Sequence, residues 1–140
     1  MTTALDTNVI VALWDRDESL SSTAEAALEA AVKRGRAVIS APVFAELMAA
    51  PGRDEDFVES FLRDTGIVVE WDLDEPVWRL AARAFSAYAG RPRKQREPGP
   101  RRVLADFLIG AHALSGGYRL LTLDDRFYRA AFPELAIARA

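Results

Sequence analysis

Four acidic residues are spaced so that a twisted α/β sheet would bring them together: Asp6, Glu46, Asp106 and Asp124. Asp6 closes the first apolar run, Met1 to Leu5, and opens the helix-like stretch Thr7 to Leu13. Glu46 follows the strand-like Ala37-Val38-Ile39-Ser40, Asp106 begins the apolar helix Phe107 to Leu114, and Asp124 follows the strand Arg119 to Thr122. In open α/β sheets, ligands bind outside the carboxyl ends of the strands. Carboxylates gathered there form an oxygen-rich site suited to Mg²⁺ or Mn²⁺. Two carboxylates about 4 Å apart repel by roughly 4 kcal/mol at an effective dielectric near 20. Four that converge therefore call for a cation, and metal-dependent phosphodiester chemistry is the expectation.

Each acid has a plainer alternative. Asp6 could merely cap a helix, although an ionised group directly after a buried strand is costly unless paired or metal-bound. Glu46 could be a solvent-facing helix position within Val43 to Met48. Asp106 could favour a helix N-terminus through the macrodipole. Asp124 and Asp125 are adjacent and cannot both point inward; Thr122-x-Asp124 puts the former nearest the strand end. Asp15, Asp17 and Glu18 read as loop acids, and Glu70, Asp72 and Asp74 as capping or solvated residues. The single histidine, His112, is turned roughly 240° from Asp106 on the same helix, off the acidic face. It reads as a core or partner-facing residue. Trp14, Trp71 and Trp78 read as core.

The elements that must position these acids alternate in a βα manner. Ser22-x-x-Glu25 has the pattern of a capping box, followed by Ala24, Ala27, Leu28 and Ala31 at helical spacing up to Gly35. Pro42 starts a short helix carrying Glu46, and a further helix runs from about Asp54 to Thr65 and ends at Gly66. Ile67-Val68-Val69 is a β-branched strand, and Asp74 caps a helix that ends at Gly90. After the Asp106 helix come the strand at 119–122, an amphipathic turn at 126–131 and a last strand near 135–138. Short apolar strands separated by helices imply a parallel sheet covered by helices on both faces.

Composition bounds the rest. A chain of 140 residues, half of them hydrophobic, suits one domain, 1–140, that buries about two-thirds of its unfolded surface. It contains no cysteine, which removes thiolate nucleophiles, thiolate zinc sites and disulfides. Neither a leader nor a membrane span is expected, since the longest apolar run, Val9 to Trp14, is too short; a cytoplasmic location is the expectation. The net charge of −3 is uneven. The loop 91–102 holds Arg91, Arg93, Lys94, Arg96, Arg101 and Arg102 against one acid, a local +5 that leaves −8 elsewhere. These six are candidate contacts to RNA phosphates or to an acidic protein segment. Signatures of nucleotide hydrolysis, dinucleotide binding and serine hydrolysis are missing. One histidine also excludes cleavage through a 2′-hydroxyl by paired histidines.

Asp6-Thr7-Asn8-Val9-Ile10, the isolated Glu46, Asp106-Phe107-Leu108-Ile109-Gly110-Ala111-His112-Ala113 and Leu121-Thr122-Leu123-Asp124 together resemble the successive motifs of PIN-domain ribonucleases. More narrowly, they resemble VapC-type toxins of bacterial toxin–antitoxin pairs, over essentially the whole chain. The resemblance implies a parallel sheet in the order 3-2-1-4-5, with the first and fourth strands side by side. It implies Asp6, Glu46, Asp106 and Asp124 as metal-binding acids for Mg²⁺ or Mn²⁺, with Asn8 and Thr122 in support and Asp125 as the alternative fourth acid. It further implies an RNA substrate cut to 5′-phosphate and 3′-hydroxyl ends, a VapB-like antitoxin and a homodimer. The competing reading is a catalytically silent PIN-like module that binds RNA or protein.

Overall fold

Three strands carry side chains buried in unbroken runs. In β1 (Thr2–Leu5) the consecutive residues Thr3, Ala4 and Leu5 are all buried, as are Ala37 to Ser40 in β2 (Arg36–Ser40) and Leu120 to Thr122 in β4 (Arg119–Thr122). Successive strand residues point to opposite faces, so an unbroken buried run requires cover on both. The edges are formed by β3 (Val68–Glu70) and β5 (Ile137–Arg139), each only three residues long. Short edges offer little template for pairing with another chain. The computed structural model describes residues 1–15, 18–90 and 103–139. All pairings are parallel and the order is β3-β2-β1-β4-β5, as the resemblance to PIN-domain ribonucleases implied.

Seven helices among the described residues surround the sheet: α1 (Thr7–Trp14), α2 (Glu18–Arg34), α3 (Ala41–Met48), α4 (Glu55–Thr65), α5 (Glu75–Ala89), α6 (Leu104–Gly116) and α7 (Asp125–Ala131). Local chemistry explains several boundaries. Asp54 accepts the Phe57 N–H at 2.8 Å and Asp74 the Val77 N–H at 3.3 Å, each a side-chain cap. Gly117 closes α6 at φ 70°, a left-handed conformation that side chains resist. Phe107 to Ala113 of α6 are buried without interruption, which makes it the central helix. Gly110 lets it approach: a Cβ there would stand 2.3 Å from the Phe132 ring. None of the described helices is long and apolar enough to cross a membrane.

Some expectations need correction. α2 begins at Glu18, so Ser22 and Glu25 lie inside the helix and form no capping box. The first turn is instead anchored by the Ser21 hydroxyl, which donates to the Leu13 carbonyl at the end of α1 (3.2 Å). α6 begins at Leu104, placing Asp106 in its first turn and not at its start. β3 and β5 are shifted toward the C-terminus, and the former takes in Glu70. Trp71 and Trp78 are surface residues, 57% and 46% exposed. Trp71 covers Phe44 edge-on at 4.9 Å, while Trp14 packs edge-on against Phe57 and Phe61 as expected. The basic stretch 91–102 lies outside the described residues.

Candidate active site

The pairing of β1 with β4 sets Leu5 opposite Leu121, so the residues that follow each strand meet at the carboxyl edge of the sheet. The Asp6 N–H donates to the Leu121 carbonyl at 2.9 Å. Asp6 occupies the N-cap position of α1, yet its side chain makes no capping hydrogen bond. Its carboxylate turns instead to Thr122, whose hydroxyl donates to Oδ2 at 2.8 Å. The same Thr122 oxygen accepts the Asp124 N–H at 2.9 Å and lies 3.5 Å from the Asn8 Nδ2. Asn8 Oδ1 in turn accepts the Leu123 N–H at 3.2 Å. Asn8 and Thr122 thus fasten the β1–α1 turn to the β4–α7 turn, and the plain capping role for Asp6 is set aside.

Asp6 is only 5% exposed, and its pKa is pushed up to about 6. Burial is the largest cause; the nearby Asp106 adds to it, while Thr122, Tyr128 and the Thr7 N–H pull the other way. Mutual repulsion, the cause expected from the sequence, is therefore the smaller of the two. Asp106 is half-buried, and its Oδ2 accepts the Val103 N–H at 3.3 Å. Glu46 is also half-buried; Thr7, next to Asp6, donates to its Oε1 at 2.6 Å. That bond ties α3 to α1 and draws Glu46 away from the solvent-facing role. Of the two adjacent acids, Asp125 faces Arg129 of its own helix at 3.4 Å, whereas Asp124 is joined through its N–H to Thr122. The network at the strand end includes Asp124.

The PIN domain model matches residues 3–133 of the chain. The chain belongs to the PIN-domain family. Among solved structures, VapBC-1 from nontypeable Haemophilus influenzae superposes with a TM-score of 0.68 at 18% identity, covering 99% of this chain and 98% of that one. VapBC2 from Rickettsia felis, bound to a DNA fragment from their promoter, gives 0.67 at 20% identity over 99% and 98% of the two chains. FitAcB from Neisseria gonorrhoeae gives 0.59 at 23% identity over 96% and 95%. At such identities the likeness speaks to the fold. No curated protein matches the chain in sequence.

Two features of this PIN domain escaped the sequence. Tyr128 of α7 lies 1% exposed beside the acids, and its burial above all, with Asp6, Asp106 and Glu46 adding to it, pushes its pKa above the ordinary phenol value. Its position four residues after Asp124, one helical turn along, was the available clue. Glu70, expected to be capping or solvated, accepts from Tyr118 and His112 at 2.9 Å each and pairs with Arg36 at 3.6 Å. His112 is accordingly a satisfied core residue, as its helix position suggested.

The donor chemistry at the carboxyl edge suits a hard divalent cation: carboxylate oxygens, a hydroxyl and an amide, with neither thiol nor imidazole. Among the described residues, however, no three of His, Cys, Asp and Glu stand close enough to grip one ion. The expected convergence of four acids is thus looser than a closed cage. An Mg²⁺ site does not require one, since that ion keeps several waters and is usually held by one or two carboxylates with substrate phosphate.

Proposed function

We propose that this PIN domain is a ribonuclease of the VapC toxin type, using Mg²⁺ or Mn²⁺ and restrained by a VapB-like antitoxin. The observation that supports this best is the buried Asp6 carboxylate, held by Thr122 beside Asp106 at the carboxyl edge of the sheet. A structural Asp would use its carboxylate as a cap or in an ion pair; this one has a costly environment and a neighbour of like charge. Positive charge at that spot removes both penalties.

Asp6 and Asp106 would hold the ion, with Glu46 and Asp124 contributing directly or through water. The bound ion supplies Lewis-acid polarisation of the scissile phosphate and a water of lowered pKa. The chain's own residues do the rest. Thr122 fixes the rotamer of Asp6 and locks Asp124 through its N–H. Asn8 keeps the two strand-end turns in register, and Thr7 holds Glu46 toward the site. Nothing in this set transfers a proton through an imidazole, which favours hydrolysis by water; the 5′-phosphate and 3′-hydroxyl ends are what the resemblance to PIN-domain ribonucleases implies. An antitoxin partner is inferred by analogy with neighbours of the same fold described as toxin–antitoxin complexes or systems; a homodimer is what the resemblance to VapC-type toxins implies.

The test is cleavage of a labelled single-stranded RNA by purified protein with Mg²⁺ or Mn²⁺. Activity should stop on addition of EDTA, and Asp6→Asn should lower the rate by orders of magnitude while the circular dichroism spectrum is kept. Undiminished cleavage by the variant would assign the chemistry elsewhere; no cleavage by the parent across an RNA panel would favour a binding module.

A further inference from the structure

Tyr128 is a side chain at the acidic edge that the ribonuclease reading leaves without a task. α7 carries it into the interior, where its ring meets Phe127 edge-on at 4.9 Å; Phe127 packs at 5.3 Å on Phe107, the neighbour of Asp106. The ring is fully buried, and so is its hydroxyl, which has no hydrogen-bond partner in good geometry among the described residues. Phenylalanine could supply the same packing without a stranded polar group, and a buried hydroxyl without a partner costs stability. The oxygen nevertheless stands close enough to Asp6 to favour its carboxylate, with Asp106 and Glu46 near enough to oppose ionisation of the phenol. It is a buried hydroxyl near three carboxylates, with Asp6 the one it favours.

We propose that Tyr128 is a positioning residue of this site: its hydroxyl donates to Asp6 and, together with Thr122, orients that carboxylate toward a divalent cation. The proposal rests on the metal-dependent reading above. A phenol is neutral at pH 7 and serves here as a hydrogen-bond donor or acceptor. Thr122 already donates to Asp6 Oδ2. A second donor would fix the carboxylate plane and leave fewer orientations to be lost when an ion binds. Outer groups that orient a ligand in this way commonly change metal affinity 10–100-fold when removed.

The experiment is titration of Mn²⁺ alone into the full chain and into Tyr128→Phe, counting free ion by electron paramagnetic resonance, with melting curves of both in EDTA. The expected result is Mn²⁺ binding weakened at least about 10-fold, with the melting temperature in EDTA unchanged or higher. Equal Mn²⁺ affinity of the two proteins would overturn the role of the tyrosine and leave the metal reading standing. A parent protein that binds no Mn²⁺ would sink both. A variant that melts well below the parent in EDTA would make the hydroxyl part of the fold's support, and that too overturns the proposal.

Discussion

Replacing Asp6 by Asn should make the metal-free protein more stable at neutral pH, by an amount that grows with pH. The carboxyl is raised from 3.8 to about 6 in the fold. A raised carboxylate pKa contributes stability that is fully present below the unfolded value and is lost as pH rises through the folded one. The window is therefore about pH 4 to 6. At 1.36 kcal/mol per unit, the parent loses about 3 kcal/mol across it from this one group. Asparagine has the same shape, does not titrate, and offers Oδ1 to the Thr122 hydroxyl. Whatever its fixed cost beside Thr122, the gap between variant and parent should widen by about 3 kcal/mol between pH 4 and pH 7.5. For a chain of this length that is roughly 10 °C in melting temperature. Urea denaturation in EDTA at the two pH values measures the gap, and titrations of groups not coupled to Asp6 cancel in the difference. A gap that is the same at both pH values, or that narrows, would refute burial as the cause of the Asp6 shift. Adding Mg²⁺ at pH 7.5 should stabilise the parent much more than the variant.

Two further outcomes follow from residues away from Asp6. Glu70→Ala strips the acceptor from buried His112 and from Tyr118, so thermal denaturation should show a loss of about 1–3 kcal/mol, while Glu70→Gln, which keeps an acceptor oxygen, should recover part of it. If the basic stretch contacts RNA phosphates, changing Arg93, Lys94 and Arg96 to Gln should flatten the slope of log K against log salt by up to about 2, as read in RNA titrations; an unchanged slope would make the stretch a connector.

The strand-end acids were legible from short-range pattern, since Asp6 and Asp124 follow apolar strands and Asp106 precedes an apolar helix, whereas the sheet order came from the resemblance of the motifs to PIN-domain ribonucleases. Asp6 and Thr122 stand where that pattern put them. Tyr128 was hidden because an aromatic on an apolar helical stripe looks like core, which it also is; only its hydroxyl differs, and the acids near that hydroxyl come from the β1–α1 turn, α3 and α6. Glu70 was misjudged because β3 runs one residue further than its β-branched core, and because the partner His112 lies 42 residues away. Ser22-x-x-Glu25 misled for the opposite reason: a capping pattern is local and costs little inside a helix, so it does not by itself mark a start. Trp71 and Trp78 show that bulk alone does not imply burial. The degree to which the acids converge was beyond the sequence, because it depends on side-chain directions that only packing fixes.

The central claim is that the carboxyl edge hydrolyses RNA with a metal-activated water. The ends left on a labelled single-stranded RNA test it most directly. With Mg²⁺ or Mn²⁺ present, the products should carry 5′-phosphate and 3′-hydroxyl groups, and both should vanish in EDTA. Products ending in 2′,3′-cyclic phosphate, or cleavage that continues in EDTA, would contradict it.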